Sequence, residues 1–113
     1  MDLIKKRCVP CEAGTPALAA GEVEVLLREV EGWQAVDDNR KITKRFKFED
    51  FVRAMSFINR MADLAESEGH HPDFSVSYNQ VDVTVWTHSV GGLSENDFIL
   101  AAKINVLNRI GGG

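Results

Sequence analysis

Residues 51–86 read FVRAMSFINRMADLAESEGHHPDFSVSYNQVDVTVW, and the change of period inside them decides the fold. In the first part Phe51, Met55, Ile58, Met61, Ala62 and Ala65 recur close to i, i+3, i+4 and i+7, with Arg53, Arg60 and Asp63 opposite. That is the pattern of an amphipathic helix lying on a core. Gly69 supplies a left-handed stop, and Pro72 prevents the helix from continuing. The pattern then alternates in Phe74-Ser-Val-Ser-Tyr78 and again in Val81-Asp-Val-Thr-Val-Trp86. With Asn79-Gln80 between them, the two runs predict a β-hairpin.

The flanking segments follow the same logic. Upstream, Val23, Leu26, Leu27 and Val30 sit at helical spacing and Gly32 ends the run. Trp33–Val36 and Ile42–Phe48 then flank the polar turn Asp37-Asp-Asn-Arg40, which predicts a first hairpin with one wet face. Downstream, Gly91-Gly92-Leu93 reads as a loop, and Ser94-Glu-Asn-Asp97 resembles a capping box with Ser94 as N-cap and Asp97 at the third position. A C-terminal helix to about Ile110 follows. Its Phe98, Ile99, Leu100, Ala101, Ala102, Ile104, Val106 and Leu107 are apolar on more than one face, so part of it is expected to meet another subunit. The order αββαββα predicts an α+β fold, a four-stranded antiparallel sheet with three helices on one face. Residues 1–18, with Pro10, Gly14, Pro16 and little periodicity, are expected to form a flexible N-terminal arm, and residues 19–110 the folded domain.

The chain's 113 residues, 44% apolar and 27% charged, fit one ordinary globular domain. A net charge of −4 and a pI near 5.3 argue against nucleic acid or an anionic membrane as partner, since both demand clustered Lys and Arg. No apolar run approaches the roughly 20 residues that span a bilayer. Met1–Cys8 lacks a signal-peptide core, so a cytoplasmic location is expected. Cys8-Val-Pro-Cys11 lacks the second pair of a zinc ribbon and the strand-helix setting of a thioredoxin motif, which favours reduced thiols on the arm.

All three histidines fall between His70 and His88, and this clustering is the main chemical signal. His70 and His71 occupy a helix-to-strand corner beside Gly69 and Pro72, and His88 lies at the far end of the next hairpin, an out-and-back path that can return to one sheet edge. Imidazole exchanges protons near neutral pH, so such a cluster suits general acid and base work. The same residues also fit solvated turn histidines, or a three-His zinc site. Asp97 fits a helix cap as well as a functional carboxylate. Glu66 precedes His70 by one helical turn, so it fits a His-orienting group on the same face or a surface carboxylate. Tyr78 and Trp86 are expected to pack in the sheet.

At these residues the sequence resembles the pterin-4a-carbinolamine dehydratase family. Glu66-Ser-Glu-Gly-His-His-Pro72, Tyr78-Asn79, Val83-Thr-Val-Trp-Thr-His88 and Gly92-Leu-Ser-Glu-Asn-Asp97 look like family segments in the expected order, and the likeness runs from about Leu18 to Leu107. The resemblance implies dehydration of 4a-hydroxytetrahydrobiopterin to quinonoid dihydrobiopterin, recycling the pterin of aromatic amino-acid hydroxylases without metal or organic cofactor. It implies that His70, His71 and His88 are catalytic, with His71 and His88 dividing the acid and base steps and His70 binding or helping to protonate the 4a-oxygen. Pro72 and Phe74, where other members carry Trp, would lie beside the pterin ring, and Glu66 and Asp97 would orient imidazoles or substrate amides. Gly69 stands where some relatives carry an acid. A homo-oligomer, dimer or tetramer, is expected through the C-terminal helix. Animal relatives also serve as dimerisation partners for a transcription factor, which makes protein interaction the rival role.

Overall fold

A computed structural model describes residues 2–10 and 14–110, the side chain of Ile110 excepted; Cys11, and with it any pairing to Cys8, lies outside the described residues. The elements are α1 (Ala20–Leu27), β1 (Gln34–Val36), β2 (Lys41–Lys47), α2 (Phe51–Glu68), β3 (Asp73–Ser77), β4 (Gln80–Val85) and α3 (Glu95–Ile110), with short 3-10 turns at Leu3–Lys5 and His88–Val90. This is the αββαββα order, and the four strands pair antiparallel in the order β1-β2-β4-β3.

Register explains why only one face is covered. Ile42 opposes Val85, Lys44 opposes Val83 and Phe46 opposes Val81, so the apolar members of β2 and β4 point to one side, where all but the Lys44 position are buried. The other side carries the half-buried Thr43–Thr84 hydroxyl pair at 3.1 Å and the exposed Arg45–Asp82 ion pair at 2.7 Å. Against the covered face α2 lays Ala54, Phe57, Ile58, Met61 and Ala65: of the predicted stripe Ile58, Met61 and Ala65 are buried, Met55 is half-buried, Phe51 and Ala62 are exposed, and Ala54 and Phe57 take the remaining core positions. The Phe57 ring lies 4.8 Å from Phe46 and 5.1 Å from Phe48, and burying such a ring contributes about 1.5–3 kcal/mol. Asp50 caps α2 by accepting the Arg53 backbone N–H at 2.9 Å.

The second hairpin turns one residue earlier than the sequence spacing predicts, at Tyr78-Asn79 rather than Asn79-Gln80. Asn79 is tied there: its side-chain amide donates to the Phe48 carbonyl at 2.9 Å and its own carbonyl accepts the Phe48 N–H at 2.8 Å. β3 is the edge strand, and Phe74 and Val76 remain partly exposed although they share a face with Val83 and Val81.

α3 differs from expectation in what covers it. Phe98 through Ala102, Ile104 and Asn105 are buried within this one chain, and none of the large exposed apolar side chains among the described residues belongs to α3. α2 takes one side of the helix and the N-terminal segment another, and Asn105 reaches β2, where its Oδ1 accepts from Lys44 Nζ at 2.9 Å. Its many-sided apolarity is therefore used internally and does not require a second subunit. The N-terminal segment differs too. Leu3 is 3% exposed within the core, Lys6 pairs with Glu95 at 3.1 Å, and the Leu18 N–H donates to the Leu93 carbonyl at 2.9 Å. A single buried leucine leaves no periodicity, which is why the stretch reads as a loose arm. No helix among the described residues is long and apolar enough to cross a membrane.

Candidate active site

The end of α2 determines where two imidazoles point. Gly69 adopts φ +65°, its N–H returning to the helix carbonyls, so the chain leaves the helix sharply. That turn undoes the i, i+4 relation between Glu66 and His70. Glu66 instead pairs with His71, Nε2 to Oε2 2.5 Å, at an exposed position. His70 is redirected to α3, where its Nε2 lies 2.6 Å from Asp97 Oδ1. The orienting acid that Gly69 does not supply thus comes from another helix.

Asp97 is 0% exposed, and both of its oxygens are engaged. Oδ1 takes the imidazole, while Oδ2 accepts from Thr87 Oγ1 at 2.8 Å and from the Ser94 N–H at 2.9 Å. The last contact is the reciprocal half of a capping box, so one carboxylate both starts α3 and fixes His70. Thr87 belongs to the link after β4, where its N–H donates to the Gly92 carbonyl at 2.8 Å and closes the loop carrying His88. Gly92 is needed there because a Cβ would come 2.9 Å from the Ala17 Cβ.

His88 stacks on Trp86 with centroids 3.8 Å apart, and the Trp86 indole N–H donates to Asp73 Oδ2 at 3.2 Å while Lys41 Nζ lies 4.8 Å from its ring centroid. Trp86 therefore supports a histidine rather than only packing in the sheet. The alternation of a strand places residues two apart on one side, and that signal could have linked Trp86 to His88. Tyr78, in the far turn, is exposed.

His70, His71 and His88 line one cavity of about 500 Å³, with Pro72, Asp73 and Trp86 beside them. Its remaining wall was not foreseen: Cys8, Val9 and Pro10 of the N-terminal segment, with Glu68 and Asn96. Phe74 is not among the lining residues. It borders a separate hollow of about 170 Å³ with Glu66, Met61 and Ala65, and His71 and Pro72 form the partition between the two spaces. Among the described residues no three His, Cys, Asp or Glu side chains converge as a metal-holding set.

A family model described as Pterin 4 alpha carbinolamine dehydratase matches residues 16–107. The chain belongs to that family. A "Putative pterin-4-alpha-carbinolamine dehydratase" of Rickettsia bellii is 45% identical over 107 residues, spanning 95% of each chain. The mitochondrial pterin-4-alpha-carbinolamine dehydratase 2 of Arabidopsis thaliana is 47% identical over 94% of this chain and 59% of its own length. A crystal structure described as a transcriptional coactivator/pterin dehydratase from Brucella melitensis superposes with a TM-score of 0.77 at 43% identity, covering 80% of this chain and 97% of that one. Dehydratases of this family are hydro-lyases, and this member is an enzyme of that class.

Within the dehydratase cavity, Cys8 is the group most displaced from its ordinary titration. Burial first, and then the Glu68 charge, push its thiol up to about 12, with Lys103 opposing. In a Cys11→Ser background, iodoacetamide should label folded Cys8 at pH 8 roughly 100- to 1,000-fold more slowly than the urea-unfolded chain, because only the thiolate reacts. Equal rates in the two states would show that the segment does not hold its docked position.

Proposed function

We propose that the cavity dehydrates 4a-hydroxytetrahydrobiopterin to quinonoid dihydrobiopterin and water, returning the pterin to aromatic amino-acid hydroxylases, by acid–base chemistry at histidine. The observation that carries this reading is the meeting of three imidazoles in one cavity, two of them held by separate carboxylates. The relatives' names speak for a pterin substrate.

The reaction removes one proton and returns one. A base takes the N5 proton, the freed electron pair forms the double bond to C4a, and the C4a–O bond breaks as an acid delivers a proton to the departing hydroxyl. His71 and His88 are exposed at the cavity and can exchange protons with water, which suits them to the acid and base steps. His70 has a side chain only 13% exposed and is locked to Asp97, which suits it to holding the 4a-oxygen or helping to protonate it. Glu66 orients the His71 ring and fixes its tautomer, as Asp97 does for His70. Pro72 would border the ring. Phe74, in the neighbouring hollow, would act through the His71–Pro72 partition rather than by stacking on the substrate.

The test generates the carbinolamine with a hydroxylase and follows its decay. The intact chain should accelerate decay, chelator should not change the rate, and His71→Ala and His88→Ala should each lower kcat by about 10²- to 10⁴-fold. Decay at the spontaneous rate with intact chain would overturn the proposal.

Self-association completes the reading, but on surfaces other than the one expected. Among the described residues the large apolar side chains left exposed include neighbouring pairs, Phe51 and Val52 on α2 and Phe74 and Val76 on β3. A homo-oligomer would use one of these faces, and light scattering reads its size. With α3 buried in its own chain, the rival interaction role rests on the coactivator activity named for the Brucella protein.

A further inference from the structure

The family model begins at residue 16, yet Cys8, Val9 and Pro10 form a wall of the cavity that holds the three histidines. We propose that the N-terminal segment Leu3–Pro10 is a substrate-contacting wall of the pterin site and contributes directly to its affinity. This rests on the dehydratase reading above.

The segment is built in rather than draped. Leu3 anchors it in the core, Arg7 Nη2 donates to the Ser67 carbonyl at 3.2 Å, and the Cys8 N–H donates to Glu68 Oε1 at 2.9 Å. Asn96 then grips Val9 as a paired strand would. Its Oδ1 accepts the Val9 N–H at 3.0 Å and its Nδ2 donates to the Val9 carbonyl at 2.5 Å. Every clamp sits next to the acid–base machinery in sequence: Glu68 lies two residues before His70, and Asn96 immediately precedes Asp97. The wall, His70 and His71 are therefore held by the same two helix ends, while His88 comes from the link after β4.

Chemically the two sides differ. One presents His70, His71 and His88; the other presents the apolar, exposed Val9 and Pro10, Val9 at 63%, beside the polar Glu68 and Asn96 that clamp the segment. A flat heteroaromatic ring between them would meet proton-transfer groups at one edge and apolar contact at the other. A contact of a few tens of Å² is worth about tenfold in affinity, and because it is made equally before and during the reaction it should appear in KM and not in kcat.

Val9→Asp tests this without loading the fold, since the side chain is mostly exposed, and a chain lacking residues 1–10 tests it more severely. Each is measured for KM and kcat in the coupled assay, and for binding of 7,8-dihydrobiopterin by quenching of tryptophan fluorescence. Circular dichroism reports whether the truncated chain folds; if it does not, Val9→Asp decides alone. Both KM and the dihydrobiopterin Kd should rise about tenfold in Val9→Asp with kcat within about twofold. Unchanged KM and Kd would reduce the segment to a structural strap and leave the dehydratase reading standing. An intact chain that neither accelerates decay nor binds the probe would remove both.

Discussion

Replacing Asp97 with Asn should lower kcat by about 100-fold or more and cost about 2–4 kcal/mol of stability at the same time. The carboxylate is fully buried and accepts from three donors: the His70 imidazole, the Thr87 hydroxyl and the Ser94 backbone N–H. An amide has one acceptor oxygen. Whichever way it turns, its NH₂ group faces either His70 or the Thr87 and Ser94 donors. If it faces His70, the ring must present a bare nitrogen and its tautomer inverts; if it faces the others, the cap of α3 breaks and the helix dipole loses its counter-charge. Kinetics and urea unfolding on one sample read the two effects. A stability loss with unchanged kcat would leave Asp97 with capping as its only task.

Lys103→Met should cost about 3–5 kcal/mol of stability. Lys103 Nζ lies 2.6 Å from Glu68 Oε2, and their side chains are 17% and 5% exposed. Without the ammonium, Glu68 is a nearly buried carboxylate left with the Cys8 N–H as its local donor. The double variant with Glu68→Gln should recover much of the loss, because the cost lies in the stranded charge rather than in the missing contact. Acidity gives an independent check. Burial tends to raise the Glu68 carboxyl, but the Lys103 and Cys8 hydrogen bonds and the Lys103 and Arg7 charges outweigh it and hold it below the ordinary range. Stability from a carboxyl held low is complete above that ordinary range and is lost as the pH falls through the lower folded value. The gap between wild type and Lys103→Met should therefore narrow on acidification. A gap constant down to pH 3 would mean that the pair contributes packing and little charge.

What could be read in the sequence was local. The stripe of α2, the Gly69 stop, the Ser94–Asp97 box and the alternation of β4 each depend on residues within a few positions of one another. Spacing gives those directly. The unread parts are meetings between distant segments. Glu66 was placed with His70 by helical spacing, but the helix ends between them and a left-handed glycine hands Glu66 to the next histidine. α3 was given an outward apolar stripe because three neighbours, one of them a single buried Leu3, cannot be foreseen from the helix itself. The same blindness hid the wall at Cys8–Pro10: its partners Glu68 and Asn96 lie far along the chain and look like ordinary surface residues. Phe74 was placed at the ring by resemblance, whereas the turn at Pro72 leaves it on the far side of His71.

The double engagement of Asp97 bears on how relatives of this chain should be compared. A lineage that gave up pterin chemistry would still need that carboxylate to begin its last helix, so drift would not erase it. Glu66 and His71 have no such second duty, being exposed and bonded to each other at the surface. In a relative of unknown activity, an intact Asp97 would certify only that the helix starts properly, and the Glu66–His71 pair would be the first part to decay when catalysis is no longer selected.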